Sequence, residues 1–323
     1  MNTMTSILAE ALAAVDRAAD KYIPTERDQK FQQQLERLFA RDETGNPIAC
    51  PRKDSGTGNA KGLAVIEAAG GGKSSLIERG LTRHPLLQPK HGDHRPWLKV
   101  LAPSPATTKS LGIEILDASG YKNVSRKNSE QEIWKIVRHR LQLLGVVFLW
   151  IDEAHDLFRE DKQGQIEETQ KALKNLMQGH GAVSVILSGI DTLWSLTSCD
   201  EQVNRRYAKM PLASISAVED EKLLKLILRT LCAEVGVKAP ARTDLVGRIV
   251  HASRGRFGRF IENVLAALEV AAYDGASELD TRHFASAWEE KEGCEPGKNV
   301  FLAANWAQID LAPSSKAIPK GRR

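Results

Sequence analysis

The sequence predicts an α/β protein in which a parallel sheet, covered by helices on both faces, is followed by a small all-helical domain. Three observations carry this. Short apolar runs alternate with helical patterns from about residue 63 to about residue 215. The glycine-rich segment Gly70-Gly71-Gly72-Lys73-Ser74 joins one such run to a helix. Beyond about residue 215 the strand signals stop and only helical spacing remains.

Taken in order, residues 5–20 read as an amphipathic helix with Ile7, Leu8, Ala11, Leu12 and Val15 on one side. Residues 28–40 read as a second, striped by Phe31, Leu35, Leu38 and Phe39. Between them Tyr22-Ile23-Pro24-Thr25 breaks the pattern, because Pro24 cannot donate to a helix. Residues 42–62 are rich in Gly, Pro, Asn, Asp and Lys and read as a loop. Strands are expected at 63–66, 97–101, 146–151 and 183–187. Helices are expected at 74–83, 107–117, 129–144 and 165–178, and then at 218–234, 243–252 and 258–273. Asp280 suits the N-cap of a last helix carrying Phe284 and Trp288. The implied division is 1–62 for N-terminal helices and a loop, 63–215 for the α/β core, and 216–295 for a helical lid. A tail, 296–323, is expected to be ordered around Phe301 and Trp306 and disordered at its end.

Composition is that of a globular domain, and the formal net charge of +4 permits a nucleic-acid partner without demanding one. Cys50, Cys199, Cys232 and Cys294 form no CxxC pair and have no suitably spaced His, which argues against a zinc site and a disulfide framework. The N-terminus lacks a basic start, and Glu10, Asp16 and Asp20 interrupt its apolar residues, unlike a signal peptide. The longest apolar run, 143–151, is too short to span a bilayer. A cytoplasmic protein without a membrane partner is the expectation.

The glycine segment carries the chemistry. Binding a polyphosphate requires backbone N–H groups turned toward the anion, and glycines permit that turn. The following helix adds the positive end of its dipole. Lys73 can reach terminal phosphates, the Ser74 hydroxyl can ligate Mg²⁺, and Ser75 continues the same first turn. This is the loop of an ATP-binding P-loop protein. It departs from the usual pattern at its first position, where Glu67 stands in place of glycine. A carboxylate beside a polyphosphate is unfavourable unless it points away; Glu67 can tilt outward, and the sequence leaves open whether it weakens nucleotide binding.

A second signal is the apolar run that ends in Asp152-Glu153. At the C-terminal end of a buried strand, Asp152 can hold the Mg²⁺ shell and Glu153 can polarise an attacking water as general base. The next residues complete the string Asp-Glu-Ala-His, but no other helicase motif accompanies it, so His155 is read as structural. Ser188, at the tip of the fourth strand, can sense a γ-phosphate or orient water, or can simply begin a Ser-Gly turn. Arg205 and Arg206, one helix further on, can stabilise charge at a neighbouring subunit's γ-phosphate, or can form a solvated helix end. In the helical region Arg254, Arg256 and Arg259 are clustered. Arg256 and Arg259 are candidates to close over the nucleotide, or to contact DNA phosphates.

Glycine loop, Asp-Glu strand, polar strand tip, arginine pair and a helical domain with an arginine motif follow one another as in AAA+ ATPases. Tyr22-Ile23-Pro24-Thr25-Glu26-Arg27 between two helices ahead of the loop resembles, within that class, the TniB family of transposition ATPases and their MuB-like relatives. The resemblance covers roughly residues 20–290. It implies ATP and Mg²⁺ bound between subunits, slow regulatory hydrolysis, and assembly on double-stranded DNA as a ring or helical filament. It also implies hand-over of the target to a DDE transposase, with a TniQ-like targeting protein as a further partner. By the same resemblance Ile23 and Pro24 lie by the adenine, and Arg205 or Arg206 is the finger offered in trans. DNA contacts come from the segment after the second strand, where Thr107, Thr108, Lys109, Lys122, Arg126 and Lys127 are available, although a solvated charged face is the plainer reading of most of them. Two other classes are compatible with the core motifs: an ATPase acting on protein partners, as in secretion, and a relative of replication initiators or clamp loaders.

Overall fold

The computed structural model describes residues 3–311 apart from 123, 126, 159–162 and 199–200. Contacts divide the chain into two units. One runs Pro24–Ala213, and the other joins the N-terminal segment through Ile23 to the chain from Ser214 onward.

The first helix, α1 (Thr3–Asp20), belongs to the second unit. The first unit opens with α2 (Glu26–Glu36), started by a capping box in which the Thr25 and Asp28 side chains accept from helix-end amides. This helix ends at Glu36, short of the expected 40. Phe39 instead enters β1 (Phe39–Arg41), which pairs antiparallel with β2 (Pro47–Pro51). So part of the expected 42–62 loop is a hairpin. Phe39 continues the helical stripe of Phe31 and Leu35, but it gains more from stacking on His84 at 4.6 Å and meeting Phe148 edge-on at 5.1 Å. Short apolar spacing does not separate the two outcomes.

The main sheet follows. After β3 (Gly62–Ile66) come α3 (Lys73–Arg83), β4 (Trp97–Leu101), α4 (Thr108–Ala118), α5 (Glu130–Leu144) and β5 (Phe148–Asp152). Then come α6 (Gln163–Leu176), β6 (Ser184–Gly189), the short α7 (Thr192–Leu196) and α8 (Glu201–Asn204), and β7 (Tyr207–Pro211). The strand order is β4-β5-β6-β3-β7, and each neighbouring pair is parallel. The three inner strands are buried along their whole length. Alternation of side chains sends Phe148 and Trp150 to one face, and Leu149 and Ile151 to the other. On the first face they meet Phe31, Leu35, Ile77 and Leu81 of α2 and α3. On the second, the sheet packs against Leu111, Ile115, Ile133, Val137 and Leu141 of α4 and α5. Because all five strands run the same way, their C-terminal ends share one edge, where Ile66, Asp152 and Gly189 come together. A parallel sheet places its ligand crevice at that edge.

β7 is a fifth strand, where the sequence signals gave none. It lies at the sheet's margin, and only Tyr207 and Met210 are buried in it. An edge strand needs no apolar run, so Tyr-Ala-Lys-Met-Pro carries little strand signal.

The second unit is helical: α9 (Glu221–Val235), α10 (Leu245–Ala252), α11 (Phe257–Tyr273) and α12 (Thr281–Glu292), with α1 packed on α9 and α11. Leu224, Leu228, Phe260, Val264, Leu268, Phe284 and Trp288 form its core, joined by Val15 and Ala18 of α1. Asp280 caps α12 as its position suggests. Past α12, Phe301 is buried, stacking on Phe284 at 5.3 Å and meeting Trp288 edge-on at 6.0 Å. The last basic residues, Lys316 to Arg323, lie outside the described residues. Among the described residues no helix is long and apolar enough to cross a membrane.

Candidate nucleotide-binding site

The glycine loop leaves the C-terminal end of β3 and enters α3. Gly70 (φ 81°) and Gly72 (φ 93°) occupy the left-handed region, and Gly72 is the N-cap of α3. Only a residue without Cβ takes these turns cheaply. Gly72 has no capping side chain, which leaves the helix's first amides available to an anion. Lys73 is the first helical residue and only 4% exposed. Its ammonium folds back over the loop, donating to the carbonyls of Glu67 at 2.8 Å and Ala68 at 3.3 Å. A buried cation held by two loop carbonyls fits a site for a polyphosphate.

Behind the loop, four residues form a continuous hydrogen-bonded chain across two strands and a helix. Trp150 Nε1 donates to Ser188 Oγ at 2.8 Å, and Ser188 Oγ donates to Asp152 Oδ1 at 2.7 Å. Ser74 Oγ donates to the other carboxylate oxygen, Oδ2, also at 2.7 Å. Asp152 is 5% exposed and Ser188 fully buried, so the carboxylate is held by fixed donors in a dry setting. The structure thus brings Lys73, Ser74, Asp152 and Ser188 together. The donor set fits Mg²⁺, which typically takes one or two side-chain oxygens and completes its shell with water and phosphate. Among the described residues no cluster of three or more acidic, His or Cys side chains could hold a metal alone.

Glu153 follows at φ 51°, an uncommon conformation for a residue with a side chain. This turn ends the strand and lifts the Glu153 side chain to 41% exposure, while its neighbour Asp152 stays buried. His155 Nδ1 lies 3.4 Å from Glu153 Oε2, and its Nε2 lies 3.6 Å from Asp156 Oδ1. The His155 ring therefore sits beside the candidate general base, a relationship that the motif string alone does not reveal.

Glu67 does not tilt outward. It is 6% exposed, and its carboxylate lies beneath the loop in the space that a Cβ on Gly71 would need; such a Cβ would stand 1.9 Å from Glu67 Cδ. Arg27 of α2 meets it there, with Nη1 at 3.3 Å from Glu67 Oε1 and 3.0 Å from the Gly71 carbonyl. Its Nη2 donates to the Ala213 carbonyl. Neither Arg27, within the Tyr22–Arg27 segment, nor Trp150 carries a sequence signal for these roles. An arginine forty positions ahead of the loop gives no local signal. The one available hint is the unexplained Glu67, a charge that calls for a partner once buried.

The remaining candidates lie elsewhere. Arg205 is exposed and Arg206 half-buried, just before β7. The Arg206 carbonyl accepts from the amide of Gly62, the first residue of β3. The pair therefore stands at the opposite end of the sheet from its own loop, roughly 16 Å away along a five-residue strand. Ser75 is exposed on α3. Ile23 packs against the helical core, and Pro24 opens the other unit. Arg256 is the N-cap residue of α11, with Arg259 in its first turn; both are half-buried. Lys109 is half-buried in the first turn of α4, and Lys122 and Lys127 are exposed in the α4–α5 connection. Arg126 lies outside the described residues.

Comparison with known proteins agrees with this layout. The family model described as Bacterial TniB protein matches residues 17–217, more than half of the chain. Comparison with curated proteins finds no match. Among solved structures, Aeropyrum pernix ORC1, determined in complex with DNA, aligns with a TM-score of 0.58 at 18% identity, covering 86% of this chain and 67% of that one. Aeropyrum pernix ORC2, in ADPNP-ADP complexes, gives 0.59 at 16% identity, over 87% and 74%. Cdc6p from Pyrobaculum aerophilum gives 0.56 at 15%, also over 87% and 74%. At such identities these structures speak for the fold alone. Sheet order and glycine loop agree with the family match, by which the chain belongs to the bacterial TniB family, on an AAA+-type fold.

Proposed function

We propose that this chain is an ATP-dependent, DNA-binding regulator of transposition. It assembles on double-stranded DNA as a homo-oligomer, ring or helical filament, and recruits or activates a DDE transposase, with a TniQ-like targeting protein as a further partner. The observation that carries the reading is the chain Trp150–Ser188–Asp152–Ser74 set directly behind the buried Lys73.

Each residue then has a task. Lys73 and the loop amides hold the terminal phosphates. Ser74 and Asp152 would hold the Mg²⁺ shell, and the bound ion would supply charge neutralisation for the phosphates. Ser188 fixes the orientation of Asp152. Glu153, lifted out of the dry strand end, takes the proton of the attacking water. Arg205 or Arg206, remote from its own loop, completes the site of a neighbouring subunit, so hydrolysis waits on assembly and serves as a slow disassembly timer. Ile23 and Pro24 are proposed to lie by the adenine. Arg256 and Arg259 are offered to nucleotide or to DNA phosphate. On the DNA side Thr107, Lys109, Lys122, Arg126 and Lys127 are the candidates, in a cytoplasmic setting; Thr108, only 2% exposed, drops out.

Fluorescence anisotropy with a labelled duplex tests this. DNA binding should require a slowly hydrolysed ATP analogue and vanish in Lys73→Ala. Equal DNA binding with and without nucleotide, or hydrolysis indifferent to DNA, would instead favour an ATPase acting on protein partners.

A further inference from the structure

The loop of this chain carries a glutamate where such loops carry glycine, and the structure has arranged the surroundings to suit it. The Glu67 amide, carbonyl and carboxylate are each engaged by a different partner. Its amide donates to the Gly189 carbonyl at 3.1 Å, its carbonyl accepts from Lys73 at 2.8 Å, and its carboxylate meets Arg27 at 3.3 Å. The side chains of the pair are 5% and 16% exposed, so this is a nearly dry ion pair at the floor of a loop built to receive a polyanion. An unpaired carboxylate there would repel the phosphates and would be costly to bury. Gly71 provides the room: with any Cβ at that position, the Glu67 carboxylate could not stay where it is.

We infer that Arg27 is a positioning residue of the phosphate-binding loop: its guanidinium neutralises Glu67 and, through the Gly71 and Ala213 carbonyls, holds the floor of the loop in its binding shape. Arg27, Glu67 and Gly71 thus form one compensated unit that replaces the usual first glycine. The planar fork of arginine suits three acceptors on two segments, and the point charge of lysine does not. This inference rests on the reading of the loop as an ATP site.

The test is a double-mutant cycle on MgATP-analogue affinity, measured by calorimetry on the full chain with melting temperature recorded for each variant. Arg27→Met should weaken binding roughly 10- to 100-fold, because it leaves a buried charge facing the phosphates. Arg27→Met combined with Glu67→Gln should recover affinity to within about threefold of the parent, since the charge that needed neutralising is gone. Arg27→Met that binds like the parent, or a double variant as weak as Arg27→Met alone, would overturn the inference. If the parent itself fails to bind, or Lys73→Ala binds equally well, the reading of the loop fails instead, and the two failures are distinguishable.

Discussion

Ser188 Oγ lies 2.7 Å from Asp152 Oδ1, coupling the tips of two adjacent buried strands through one charge-assisted hydrogen bond. Ser188 in turn accepts from Trp150, so its hydroxyl has one direction in which to donate. Ser188→Ala leaves Asp152 with one fewer donor and freer to rotate. It should lower hydrolysis about tenfold while changing nucleotide affinity far less, as measured by steady-state phosphate release beside equilibrium binding.

The arginine pair makes a different kind of prediction. Because Arg205 and Arg206 stand at the far end of the sheet from their own loop, each variant should damage a neighbour's site rather than its own. Arg205→Ala or Arg206→Ala should lower hydrolysis about a hundredfold or more with nucleotide binding retained. Mixing that variant with Lys73→Ala should restore part of the activity, since some interfaces then pair an intact loop with an intact arginine. No recovery on mixing would place the finger elsewhere.

Gly71 is required by Glu67, not by its own backbone. Gly71→Ala should weaken nucleotide binding and destabilise the sheet unit by about 1–3 kcal/mol, through the clash with the pinned carboxylate. In a Glu67→Gly background the same change should be nearly neutral by thermal melting.

In the helical unit, Arg248 is 3% exposed. It donates to the carbonyls of Val300 at 2.7 Å and Ala303 at 2.9 Å, and to Asp244 at 2.8 Å. Arg248→Met should cost about 2–3 kcal/mol and expose the segment around Phe301 to proteolysis. The Arg242 guanidinium first, and Arg248 after it, hold the Asp244 carboxyl down at about 2 from its ordinary 3.8. A depressed carboxyl contributes stability that is complete above about pH 4 and is lost as pH falls toward 2. The stability gap between the parent and Asp244→Asn should therefore narrow across that window in acid-unfolding curves.

How much of this was legible in sequence depended on burial. The inner strands β3, β5 and β6 are dry on both faces, so each reads as an apolar run. The margin strand β7, interrupted by Lys209 and closed by Pro211, does not, and neither does the mostly exposed β2. Helix α1 was visible as amphipathic, but periodicity says only that a face is buried and not against what. Its packing on α9 and α11, more than 200 positions away, lies beyond any local pattern. The loop was legible because phosphate chemistry demands glycine, lysine and serine at fixed spacing. The Arg27–Glu67 contact and the His155–Glu153 contact were not, because each depends on where side chains turn after the backbone has folded.

On the proposed function, ATP bound at the Gly70–Ser74 loop drives assembly on DNA and Glu153 ends it. Glu153→Gln keeps the loop, Lys73 and Asp152 intact while removing the base. It should lower hydrolysis roughly 10²- to 10⁴-fold and trap nucleotide-bound assemblies on DNA. Electron microscopy and sedimentation of this variant with ATP and duplex DNA measure that directly. Persistent rings or filaments, formed only when both ATP and DNA are present, are the predicted result. A Glu153→Gln protein that binds ATP yet sediments as a monomer apart from the DNA would contradict the proposed function.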